Sequence, residues 1–301
     1  MAAIAVDDRS TREGSAWVGW TPLALAPIGV VMFQRGMPAW AFMWVLAIAI
    51  YASLKWASWW RSPMRTQASS GRSVGYLLAW PGMDAESFLD PRRRAAAPLL
   101  NEWAWALAKT ALGVLLLWGA VRAVPERWPL VRGWIGLVGM VLIAHFGSFH
   151  VVSLVWRSFG VDAVPIMASP ALSQSLSEFW GRRWNLGFRQ LGHELIFAPL
   201  HERLGVGVAG FLVFVASGLI HDLVISVPAG GGYGLPTAYF VLQGTGVALE
   251  RSRVGRRMGL RGGMRGWLYM TLFTAGPAFR LFHPPFLRNV VLPFMQRLGA
   301  I

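Results

Sequence analysis

GWIGLVGMVLIAHFGSFHVVSLVW, residues 133–156, contains no Asp, Glu, Lys or Arg. A helix of about 20 mostly apolar residues crosses the hydrocarbon core of a bilayer, and this run is long enough to do so. His145 and His150 are its only ionisable groups. Similar runs lie on both sides. Residues 14–34 and 36–54 are uncharged, with Arg35 between them. Residues 103–121 carry only Lys109, close enough to one end to snorkel. Residues 204–220 and 232–249 are uncharged, and residues 266–282 carry only Arg280. Trp and Tyr gather at many of these ends, as in an interfacial belt.

The whole chain agrees with this reading. Of 301 residues, 55% are hydrophobic and only 14% charged, with a mean hydropathy of +0.46. Soluble domains carry about 25% charge, and disordered chains need low hydrophobicity. The net charge is +14 and there is no Cys, which removes disulfide scaffolds and thiolate chemistry. A basic nucleic-acid binder would line a folded surface with charge, whereas here charge punctuates long apolar runs, so no nucleic-acid partner is expected. The first run follows Asp7, Asp8 and Glu13 and is too long for the apolar core of a cleaved signal peptide. The expectation is an all-α, polytopic membrane protein of about seven to eight transmembrane helices, forming a single domain over residues 1–301.

Arginine distribution adds an orientation. Arg61, Arg65, Arg72 and Arg92 to Arg94 follow the second run, and Arg251, Arg253, Arg256, Arg257, Arg261 and Arg265 follow the sixth. Both clusters are expected to be cytoplasmic, with the N-terminus on the same side. Parity then requires that residues 185–200, NLGFRQLGHELIFAPL, do not cross. Their Arg189, His193 and Glu194, and a stop expected at Pro199, read as an interfacial or re-entrant helix, which is tolerated at depth where it lines an enclosed cavity. Residues 76–83 are too short to span.

Two segments carry candidate chemistry. In VASGLIHDLVIS, His221 and Asp222 lie deep in an apolar helix. Ionisable groups at such depth are costly and by default face an internal cavity, and imidazole is suited to accept a proton near neutral pH. The alternative is a histidine near the outer interface that satisfies a backbone carbonyl. Ser217 and Gly218, one turn earlier, would leave room for a substrate. In SEFWGRRWN (177–185), Ser177 is an expected helix N-cap, and Trp180, Arg182, Arg183 and Trp184 suit either an interfacial anchor or a site for an anionic head group. Other candidates are weaker. His193-Glu194 begins a zinc-like pattern, but Phe197 stands where H-E-x-x-H needs its second His, so no metal is expected. His145 and His150, five apart, fall on different faces of an α-helix. GGGYG (230–234) reads as a tight turn.

FWGRRWN, followed by SGLIHD, resembles the signature of the membrane-bound O-acyltransferase superfamily, and within it the wax-synthase branch. LLAWPGMD (77–84) also resembles bacterial members. The resemblance covers a motif core within residues 173–250. It departs at Asp222, where Glu is common. It implies His221 as the catalytic residue with Asn185 as its partner, and a multi-helix core around a tunnel. It implies transfer of a fatty acyl group from acyl-CoA, as co-substrate without a resident cofactor, to a hydroxyl. The acceptor expected is a long-chain alcohol, giving a wax ester. A sterol, a glycerolipid or an exported glycan is the alternative acceptor. Trp180, Arg182, Arg183, Trp184, Ser217 and Asp222 are the expected substrate-binding residues, and a bacterial cell membrane the expected location. A transporter, the rival from another class, predicts internal repeats around broken helices; the sequence shows none.

Overall fold

The computed structural model describes residues 8–301, with side chains from Val18 onward. Asp7 lies outside the described residues, as do the side chains of Asp8 and Glu13. The described chain is all-helical. Helix α1 (Asp8–Phe33) pairs with α2 (Ala39–Arg61). Helices α3 (Leu100–Ala123), α4 (Pro129–Ser158) and α5 (Leu186–Ala229) follow, and with α2 they are the four helices among the described residues long and apolar enough to cross a membrane. Helices α6 (Leu235–Arg251) and α7 (Gly263–Ala275) follow and are shorter than the spans hydropathy predicts. Helix α7 ends early because Pro277, just beyond it, has no N–H to continue the ladder. Residues 76–83 belong to a ten-residue helix (Ser70–Ala79) and the extended loop after it. This is a polytopic integral membrane protein.

Close packing follows the membrane rule that small residues let backbones approach. A Cβ on Gly113 of α3 would sit 2.7 Å from the Gly139 carbonyl of α4, and one on Gly139 would sit 2.9 Å from the Gly113 carbonyl. In α1, Pro22 cannot donate to the Val18 carbonyl; Trp56 of α2 donates its indole N–H to that oxygen instead, at 3.2 Å.

Helix α5 decides the architecture around the site. Its 44 residues would extend about 66 Å if straight, twice the hydrocarbon thickness. Gly205 breaks it, with φ 78° and ψ 158°, a conformation that belongs to glycine. The chain reverses there, because a Cβ on Gly192 would meet the Val213 side chain at 2.8 Å, whereas a continuous helix would hold them about 31 Å apart. The second limb then runs antiparallel to α6, as two contacts show: Gly218 lies against Thr237 and Gly244 against Phe211. This register sets the Gly205 turn level with the C-terminal end of α6. Ser177 sits at that same end, where its N–H donates to Glu250 (3.0 Å) and its hydroxyl accepts from Arg251 (3.2 Å). The chain between Ser177 and the Gly205 turn therefore enters and leaves at one end of the molecule, as charge parity requires.

The expected stop at Pro199 is corrected: the helix continues through it. Residues His193–Phe197 form a wide π-turn just before this proline, so i→i+5 bonding absorbs the N–H that proline lacks. The same device recurs, with π-turn Asp222–Ser226 preceding Pro228 and Leu287–Val291 preceding Pro293.

Candidate active site

His221 lies in the second limb of α5, in the half away from the Gly205 turn. Its Nδ1 is 2.7 Å from the Ser217 carbonyl one turn earlier. A carbonyl only accepts, so Nδ1 carries the proton and Nε2 is left as a base. Among the described residues Nε2 makes no hydrogen bond. The imidazole packs on Phe240 of α6 at 4.5 Å between ring centroids.

Phe240 links His221 to the tryptophan-rich segment. The Trp180 ring lies 5.6 Å from Phe240 and 5.8 Å from Phe214, and its indole N–H donates to Gln243 at 3.2 Å. Trp184 stacks on Phe179 at 5.3 Å. Residues on three separated stretches of sequence thus form one aromatic wall beside the histidine.

Asn185 follows directly. It has φ 42°, the left-handed region that Asn tolerates better than most residues. Its side-chain oxygen accepts the Phe188 N–H (3.4 Å) and caps the first turn of α5. That assignment leaves the amide NH₂ as a donor. Gly187, two residues on, admits the backbone of Met83, 3.2 Å from where a Cβ would be. Met83 belongs to the LLAWPGMD segment, which the buried Lys55 holds through a hydrogen bond to the Gly82 carbonyl and by lying over the Tyr76 ring. Asn185 begins the first limb of the hairpin and His221 lies far along the second, so both occupy its open half.

The carboxylate of Asp222 points elsewhere. It accepts from the Ser226 hydroxyl (2.9 Å), the Gly234 N–H (2.8 Å), the Thr237 N–H (2.9 Å) and the Thr237 hydroxyl. These donors include the first turn of α6, where a carboxylate also meets the positive end of the helix dipole. Ser226 is linked in turn to the buried His283 at 3.2 Å. Asp222 therefore ties α5, α6 and the C-terminal segment together next to His221. Ser226, Thr237, Phe240, Gln243 and His283 were not singled out from sequence; each is ordinary in its local context, and only long-range contact reveals it.

Other expectations need correction. The space beside Gly218 is filled by Thr237, whose Cα is 2.7 Å from a built Cβ, so this glycine lets α6 approach and makes no room for substrate. Ser217 contributes its carbonyl to His221. The helix cap is Ser175, which accepts the Glu178 N–H at 3.0 Å. Arg183 is held by Glu178 at 2.7 Å and by the Ala168 carbonyl, while Arg182 is exposed and makes no hydrogen bond or ion pair among the described residues. The Gln174 N–H, and then the Arg183 guanidinium, hold the Glu178 carboxyl below the usual range against partial burial. Phe197, in the place of a second zinc histidine, stacks between His193 and His201. Finally, His145 and His150 share one cleft, because the π-turn Leu142–Ser148 adds a residue to the turn and brings positions five apart toward one face.

Residues 163–242, which include Asn185, Trp180, His221 and Asp222, match the membrane bound O-acyl transferase family. The site lies within the segment that matches this family. Its similarity is to the wax-synthase-like branch. The chain is 30% identical over 149 residues to a protein named probable long-chain-alcohol O-fatty-acyltransferase 7 from Arabidopsis thaliana, covering 43% of this chain and 42% of that one. It is 33% identical over 103 residues to a long-chain-alcohol O-fatty-acyltransferase from Simmondsia chinensis, covering 31% and 29%. An acyl-CoA–sterol O-acyltransferase from Arabidopsis thaliana is 37% identical over 71 residues, 21% of each. The chain thus matches less than half the length of these curated relatives.

Proposed function

We propose that the protein is a membrane O-acyltransferase that moves a fatty acyl group from acyl-CoA to a lipid hydroxyl, with a long-chain alcohol as acceptor. The observation that carries this is the state of His221: Nδ1–H is committed to the Ser217 carbonyl, and Nε2 is unpartnered beside the aromatic wall. That is the state a general base needs. In this reading Nε2 takes the hydroxyl proton as the acceptor oxygen attacks the thioester carbonyl. The C–O bond forms, the C–S bond breaks, and the imidazolium returns the proton to the departing thiolate. The Asn185 amide NH₂ donates to the oxyanion. Trp180 and Trp184 line the acyl path, and exposed Arg182 meets phosphate of the donor. Arg183 and Asp222 act by position: one braces the motif loop, the other holds α6 and Phe240 against His221. The Arg-rich end, where acyl-CoA would arrive, is the cytoplasmic one.

The test is esterification of labelled acyl-CoA by membranes containing the wild type or His221→Ala, with alcohols of graded length. A loss of at least about 100-fold in the variant is expected from removing a general base. A variant as active as wild type, or no ester from any alcohol, refutes the reading. A sterol acceptor is the second reading, favoured by the similarity to the acyl-CoA–sterol O-acyltransferase, and belongs in the same panel.

A further inference from the structure

A second group of ionisable side chains lies apart from His221. Lys109, from α3, meets His150 of α4, with Nζ 3.2 Å from Nδ1. His145 lines the same narrow cleft, and its Nδ1 is buried without a hydrogen-bond partner. The remaining wall is apolar, from Phe146, Ile166 and Met167. It backs directly onto the Asn185 loop: the Asn185 N–H points to the Met167 sulfur at 3.3 Å, and the Leu186 N–H donates to the Ile166 carbonyl at 2.9 Å.

Charge in this cleft is unbalanced. Lys109 has no carboxylate within ion-pair distance among the described residues. The acid two turns earlier on its own helix, Glu102, is bound by both ends of the Arg157 guanidinium, at 2.6 and 3.1 Å. An ammonium inside a membrane helix is costly without an anion, and His150 is a neutral partner for it. An exposed apolar face lies beside Lys109. Trp105 and Leu112, at i−4 and i+3 from Lys109, share its helix face and are 67% and 48% exposed. An exposed apolar face beside a cation without a counter-ion, with an unsatisfied imidazole nitrogen in the same cleft, matches a single-chain amphiphile with an anionic oxygen head.

We infer that Lys109, His150 and His145 form a binding site for the oxyanion head of a membrane-borne amphiphile, a fatty carboxylate being the simplest such ligand. The chain of such a ligand lies along the Trp105–Leu112 face. Its head sits behind the Asn185 loop, so occupancy of this site bears on the loop that carries Asn185. The site stands independently of the acyltransferase reading.

The test uses the purified full-length protein in neutral detergent and a photoreactive fatty acid, with adducts mapped by peptide mass spectrometry. Adducts are expected on the segments around residues 105–112 and 145–150. Unlabelled palmitate should compete, hexadecanol should not, and His221→Ala should label as wild type does. Phosphatidate competing more strongly than palmitate assigns the same oxyanion site to a lipid phosphate. Lys109→Met should lower labelling at least tenfold and Lys109→Arg should retain most of it. His150→Phe, which preserves ring volume, should lower labelling several-fold and guards against a folding defect in Lys109→Met. Competition by hexadecanol equal to that by palmitate overturns the proposal. So does labelling unchanged in both Lys109→Met and His150→Phe.

Discussion

At the scale of single residues, the site separates groups able to react from groups that hold them. His221 has one nitrogen committed and one free, whereas every oxygen of Asp222 is occupied. Asp222→Asn turns an amide NH₂ toward groups that themselves donate. It should cost about 2–3 kcal/mol, the worth of hydrogen bonds to a charged acceptor with one donor left unpaired, read as a lower thermal midpoint in detergent. Thr237→Val removes one donor and should cost about 1 kcal/mol. A positioning role for Asp222 predicts a fall in kcat with little change in the KM for acyl-CoA. The depressed Glu178 carboxyl gives a pH signature. Its folded pKa lies below the unfolded value, so the stability it contributes is present above the unfolded pKa, about 4.3. That stability is lost as pH falls through the folded value. Acid titration of the wild type should therefore show a loss that Glu178→Gln lacks. From sequence, His221 stood out because an ionisable group deep in an apolar run has few explanations. The role of Asp222 did not, because its donors lie 4 to 15 residues away across a turn.

At the scale of elements, glycine positions control how α5 and α6 meet. Gly205 occupies a backbone region that other residues enter at a cost of about 1–3 kcal/mol. Gly205→Ala should lower the thermal midpoint accordingly and loosen the hairpin that places Asn185 and His221 in one half of the molecule. Gly218→Ala puts a methyl 2.7 Å from the Thr237 Cα. Backbone cannot rotate away as a side chain can, so α6 must shift and carry Phe240 from His221. Esterification should fall in this variant although no reacting group is altered. Apolar runs mark these elements well, but the breaks inside them are harder to read. A hydropathy count does not separate Gly205 from Gly207 or Gly210, since only the backbone angle distinguishes them. Likewise the helix runs past Pro199 because a π-turn precedes it, and this turn type has no composition of its own.

At the scale of the whole molecule, charge and topology agree. Ser177, the Gly205 turn and the Arg-rich end of α6 lie together, while the glycine turn at Gly230–Gly234 lies at the opposite end of α6. The chain has no Cys, so single cysteines report sidedness directly. Cysteines at positions 177, 203 and 256 should react with an impermeant reagent from the same side, and one at Tyr233 from the other. Labelling of 256 from the outer face alone would reverse the assigned orientation. Arginine counting could place these segments on one side because each charge adds to the same bias. It could not show that residues 177–204 dip along α6 and return, which rests on the register between α5 and α6.

By itself, the sequence determined the membrane class, the Arg-rich end, the place of His221 inside an apolar run and the two motif segments that contain Asn185 and His221. These follow from properties summed over neighbouring residues: hydropathy over about 20 positions, charge over a loop, and residue order in a short segment. Tertiary structure alone decided which polar groups are free and which are committed. Arg182 and Arg183 are adjacent and chemically alike, yet one is exposed and the other is braced by Glu178. His145 and His150, on different faces of an ideal α-helix, line one cleft with Lys109 through an extra residue in the turn. A hydrogen bond depends on a few tenths of an ångström between groups far apart in the chain, and that distance is set by packing and backbone angle.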